Sequence, residues 1–271
     1  MEITKRINWK CFFYATVATL ACVGLMVFIG SRVENWDSWS QAPGRYTFNE
    51  AIRDGWLLQP WNTFSSFAFI FIAIYIMFLP FPKTINKTVS SNLFLRYIFA
   101  ISLFVTGIGT AFLHMSHTSL GHLLDWIGMF MVVVFILVYS FRRFKLHPLV
   151  FLAIFVVGTG AILAMAFTFA GGFRQEIFGG IIIVGAILEI FLNRSNPKFS
   201  LDTLLMSGSA ILFGLIFRLI DDTHFFFDPY SWFQGHAIWH VLGALAGALL
   251  YYHYSQENIK HDDESLHKKS S

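Results

Sequence analysis

Two histidines, His236 and His240 in the stretch GHAIWH, stand four residues apart. That spacing puts both imidazoles on one face of a helix, one turn apart. Two imidazoles so placed suit a shared metal ion such as zinc, although such pairs also arise by chance at polar helix ends that face headgroups. A third histidine, His114, follows Thr110 by four residues, so a hydroxyl and an imidazole share a face. Asp125 lies inside the apolar stretch HLLDWIGMF. A carboxylate there needs a partner: a cation, a metal-bound water, a hydrogen-bond donor, or His122 three residues earlier. Three histidines with one open position form the ligand pattern of a catalytic zinc, whose water becomes a nucleophile near neutral pH.

These groups need elements to hold them. The chain has 271 residues, of which 56% are hydrophobic and 13% charged. A soluble domain carries about 25% charge, so the composition excludes a soluble globule, a disordered chain and a secreted disulfide scaffold and leaves a polytopic membrane protein. A spanning helix takes about 20 mostly apolar residues. Eight such stretches are present, near 11–31, 61–81, 93–114, 119–141, 148–170, 174–193, 202–219 and 236–254. The first follows Lys5, Arg6 and Lys10. It is longer than a signal-peptide core, and no A-x-A site follows it before Val33, so it reads as a retained anchor. Cys11 and Cys22 lie within it, three turns apart, too far to pair within one helix.

With eight spans the two termini share a side. That side takes 14 of the 19 Lys and Arg, so both termini are expected to be cytoplasmic. The loops near 32–60, 115–118, 171–173 and 220–235 then face a periplasm or lumen, and Phe48–Leu58 reads as a short interfacial helix. Span three ends outward at His114, span four begins outward at Asp125, and span eight begins outward at His236. Groups more than 100 residues apart thus fall at one depth on one face. Elsewhere, Glu50 reads as a cation ligand or helix cap. Trp61, Asn62, Thr63 and Ser65 read as packing near the site, and Arg218, Asp221 and Asp222 as an outward ion-pair cluster or, alternatively, a contact for a substrate headgroup. Glu189 reads as snorkelling or pairing with Arg194.

The combined pattern resembles the alkaline ceramidase family, within the seven-helix membrane hydrolases that include adiponectin-receptor-like proteins. That family carries S-x-x-x-H, an Asp eleven residues after that His, and H-x-x-x-H in the last helix. Here the pattern reads Thr110-x-x-x-His114, Asp125 and His236-x-x-x-His240. The family's Cys-Glu pair and P-x-N-T-x-S-N element stand as Asn49-Glu50 and Pro60-Trp61-Asn62-Thr63-Phe64-Ser65-Ser66. Thr110 replaces the family serine, and Ser66 replaces the final Asn of that element. Gln59 replaces a Glu of the animal enzymes' acidic calcium site, which argues against calcium.

The resemblance implies an all-α integral membrane fold: a seven-transmembrane-helix bundle over 33–254, one extra N-terminal transmembrane helix in 1–32, and a polar cytoplasmic tail at 255–271. It implies Zn2+ on His114, His236 and His240. Asp125 would move the proton, and Thr110 would stabilise the oxyanion. Glu50, Asn62 and Ser65 would serve a second cation or a structural role. The activity would be zinc-dependent intramembrane hydrolysis of the N-acyl bond of ceramide or a related lipid. The partners would be that lipid and the bilayer, with no nucleic acid. The alternative is a non-catalytic receptor or scaffold on a zinc-stabilised bundle. A transporter fits less well, because the ionisable groups cluster at one face and no inverted repeat is present.

Overall fold

The computed structural model describes residues 8–42, 48–80, 92–141, 146–168, 173–194 and 201–255. It is all-helical there, with one isolated bridge between Gln41 and Thr118. The helices are α1 (Trp9–Gly30), α2 (Pro60–Ser65), α3 (Phe67–Phe78), α4 (Leu93–Ser116), α5 (Ser119–Phe141), α6 (Pro148–Thr168), α7 (Arg174–Arg194), α8 (Asp202–Asp222) and α9 (Gly235–Ser255). They fall on the eight apolar stretches, because apolar runs of this length can satisfy their backbone in lipid only as helices. The second stretch breaks at Ser66 into α2 and α3. Six segments are long and apolar enough to cross a membrane: α1, Pro60–Phe78, α4, α5, α6 and α8. The chain is thus an integral membrane protein. Helices α7 and α9 have 21 residues each, but α7 carries Glu176 and Glu189 and α9 carries three histidines. Much of the basic side used for orientation lies outside the described residues, Lys83, Lys87, Arg142, Arg143 and Lys198 among it, as does the tail beyond Ser255.

The chain divides into two compact units. The first comprises residues 1–79, 100–129 and 210–245 and contains every candidate site residue. Its core packs α1 on α3 and α4 through Ala15, Phe67, Ile70, Ile74 and Ala111. Two glycines set the spacing of α4 and α5. A Cβ at Gly109 would come to 2.6 Å from the Asp125 backbone nitrogen, and one at Gly128 would overlap the Thr106 backbone. Only glycine permits this approach, which brings Thr110 beside Asp125.

The segment 48–59 is not a helix. It runs as bends that, apart from an internal bond from Arg53 to the Leu58 carbonyl, tie its backbone to other elements. Leu58 and Gln59 donate their N–H groups to the carbonyls of Met115 and His114 at 3.0 and 3.1 Å, and Ala42 donates to His117 at 2.8 Å. The last carbonyls of α4 lack intrahelical partners, and Ala42, Leu58 and Gln59 supply them. Periodicity within the segment could not reveal that, since the bonds belong to residues far along the chain.

The second unit comprises 80–99, 130–209 and 246–271. Its core stacks aromatic side chains, with Phe135 between Phe99, Tyr139 and Phe151. Glu189 is buried and accepts from the Ser140 hydroxyl at 2.8 Å. It therefore does not snorkel: a neighbouring helix offers a donor at its own depth.

Candidate metal centre

His114 sits in the last turn of α4, and His236 and His240 open α9. All three are buried. One nitrogen from each lies within 4.8 Å of the others, close enough to bind a metal ion. The ring centroids are 4.9 Å apart for His114 and His236, 5.1 Å for His114 and His240, and 4.6 Å for His236 and His240.

Two of the rings are oriented by protein acceptors. His114 Nδ1 lies 2.7 Å from Gln59 Oε1. His240 Nδ1 lies 2.8 Å from Ser65 Oγ, 3.1 Å from the Asn62 carbonyl and 3.3 Å from Ser66 Oγ. An Nδ1–H donated to these oxygens leaves Nε2 as the lone-pair nitrogen on both rings. The His236 Nδ1 is buried without a hydrogen-bond partner among the described residues. A buried polar nitrogen without a partner is costly unless something binds there. The donor set therefore fits a metal ion that takes imidazole nitrogen.

The supports come from the loop and from helix ends. Pro60 opens α2 without needing an N–H bond. Both Glu50 carboxylate oxygens accept there, from Trp61 N and Asn62 N at 2.8 Å each. Glu50 is thus a helix cap in this structure, with both oxygens engaged by backbone. Burial pushes its carboxyl up to about 7, against the opposing pull of these two N–H groups. The cap holds Asn62 and Ser65, and so His240, in place. Gln59 also donates its side-chain amide to the Glu50 carbonyl at 2.7 Å, which aims its oxygen at His114.

Asp221 departs from the expected ion-pair cluster. Its carboxylate accepts from Gly235 N at 2.9 Å and Asn49 N at 3.3 Å, capping the start of α9 one residue before His236. Of the three, Arg218 and Asp222 form an ion pair, at 3.9 Å. Asp125 takes its hydrogen bond from Thr110 Oγ1 at 2.5 Å. His122, the local alternative, instead accepts from Trp126 Nε1 at 3.0 Å. The Phe48 ring lies 4.6 and 4.5 Å from the rings of His114 and His236 and covers them. His117 is buried at the α4–α5 turn with φ 49, its ring 6.2 Å from His114.

Sequence reasoning named Gln59 and Ser66 only as departures from a pattern, and it passed over Phe48. Gln59 directly precedes the Pro60 that starts a helix, a position whose side chain faces a helix end. No comparable local signal marks Phe48. No family model and no curated protein matches the chain.

Proposed function

We propose that the chain is a zinc-dependent intramembrane amidase of the alkaline ceramidase kind. It would cleave the N-acyl bond of ceramide or a related lipid to a fatty acid and an amine. The observation that carries this reading is the convergence of three buried histidines, with a hydroxyl–carboxylate pair one helical turn from His114. In this reading all eight apolar stretches span, seven as the bundle and the first as an extra helix. Both termini are cytoplasmic, and the site lies toward the periplasm or lumen, as the 14 to 5 distribution of Lys and Arg supports.

His114, His236 and His240 hold the zinc. When bound, zinc supplies Lewis acidity that polarises an amide carbonyl and brings the pKa of water toward neutrality. Asp125 accepts the proton that water loses as its oxygen bonds to the amide carbon. It returns that proton to the nitrogen as the C–N bond breaks. Thr110 donates to Asp125 in the resting site. Once Asp125 carries a proton, it donates to Thr110, and the threonine proton is free for the carbonyl oxygen. The Gly109 contact keeps these two side chains within one hydrogen bond. Water is limited by Phe48, which lies over two of the ligand rings.

The test is zinc content and cleavage of a fluorescent ceramide, measured on the purified protein and on its His236→Ala/His240→Ala variant. About one zinc per chain, lost together with cleavage in the variant, is expected. Zinc in the parent with no amide turnover on any lipid would overturn the enzymatic reading and favour the receptor or scaffold. No zinc in the parent would overturn the metal assignment.

A further inference from the structure

Arg218 is not used by the mechanism above. It lies on α8 among residues that face the start of α9. A Cβ at Gly214 would meet the Trp239 ring, Phe217 places its carbonyl against Gly235, and Asp221 caps Gly235. Residues 214, 217, 218 and 221 share one helix face. Arg218 therefore lies on the face that meets the histidine-bearing turn.

Its side chain is 14% exposed. The Nε is buried with no acceptor, and the ionic contact to Asp222 at 3.9 Å is too long for a hydrogen bond. A guanidinium offers five N–H donors in a planar fork. None of them has a protein hydrogen-bond acceptor among the described residues. The buried Nε in that condition costs free energy unless an acceptor arrives. A neutral sphingoid headgroup offers no charge to match it, whereas a carboxylate or phosphate fits the fork with two parallel bonds.

We propose that Arg218 is an anion-recognition residue of this site, and that the amide lipid it takes carries an acidic group on the amine side of the scissile bond. This rests on the amidase reading for the word "scissile"; the anion site itself does not. It narrows the substrate class from neutral ceramides to N-acyl lipids with a carboxylate or phosphate on the amine.

The full chain in lipid nanodiscs would be titrated with N-palmitoylglycine, N-palmitoylethanolamine and palmitate, for the parent, Arg218→Gln and Arg218→Lys. Arg218→Gln is expected to weaken N-palmitoylglycine by about 10- to 100-fold, the range for a lost hydrogen-bonded charge. The ethanolamide should change by less than about twofold, and Arg218→Lys should fall between. Equal weakening of both amides would overturn the proposal, since it would make Arg218 a packing or oxyanion group. Palmitate binding as dependent on Arg218 as N-palmitoylglycine binding would also overturn it, by assigning the guanidinium to the fatty carboxylate product. Should Arg218→Gln fail to fold, the parent decides: parity between glycine and ethanolamide lipids overturns the proposal, and a preference of about tenfold or more supports it. Turnover on the same samples separates the two readings. If neither amide is cleaved while N-palmitoylglycine binding still needs Arg218, the amidase fails and the anion site stands.

Discussion

In the first unit Gln59 and Ser65 hold the Nδ1 atoms of His114 and His240 and leave the opposite nitrogens open. In the second unit buried polar groups meet in separate pairs, with no convergence of several histidine rings among the described residues. Ser140 donates to Glu189, Thr203 Oγ1 lies 3.2 Å from His253 Nδ1, and Ser207 donates to the Ala246 carbonyl at 2.9 Å. Both units bury histidine, carboxylate and hydroxyl side chains. Burial of such a group therefore does not mark a site by itself. Supports that fix a ring while leaving its lone pair unused, on several rings at once, do.

The strongest break in this contrast is His240→Ala. Zinc should fall well below one per chain and amide turnover should be abolished, as read by metal analysis and a ceramide assay; full activity with retained zinc would remove His240 from the centre. Next comes Asp125→Asn, expected to keep zinc while lowering kcat about 10²- to 10⁴-fold. An unchanged rate would move proton transfer elsewhere. Gln59→Ala should weaken zinc affinity about 10- to 100-fold by freeing the His114 ring, measured by competition with a chelator.

Glu50 sharpens the contrast through pH. Burial raises its folded pKa to about 7, above the ordinary value of 4.5. The folded state then holds the proton more tightly than the unfolded one, so this contribution to stability is full below about 4.5 and lost as pH rises through about 7. Thermal unfolding in detergent should show Tm falling across that window in the parent and a flatter profile in Glu50→Gln. The smallest effect is expected in the second unit. Ser140→Ala should cost about 1 kcal/mol of stability, with zinc content and turnover at the parent's level. A loss of zinc there would erase the distinction between the units.

Much of the helix placement was legible because a membrane helix announces itself by length and apolarity. The sequence boundary at 93–114 lies within two residues of Leu93–Ser116, and 119–141 coincides with Ser119–Phe141. The segment 48–58 was misread as a helix, because its backbone bonds run to α4 and to Pro229. Asp221 was misread as an ion-pair partner for a similar reason: the N–H it caps is 14 residues ahead. The three histidines were legible as a set only through a topology that put their span ends on one side.

By itself, then, the sequence determined which stretches are helices and which residue types could meet a metal, since both depend on local composition and spacing. The tertiary structure decided which nitrogen of His114 and of His240 is held, that Asp125 pairs with Thr110 and not His122, that Glu50 and Asp221 cap helices, and that the Arg218 Nε has no hydrogen-bond acceptor among the described residues. Those outcomes depend on hydrogen bonds between segments far apart in the chain. They are set by how closely helices approach, as at Gly109, and no local pattern encodes that distance.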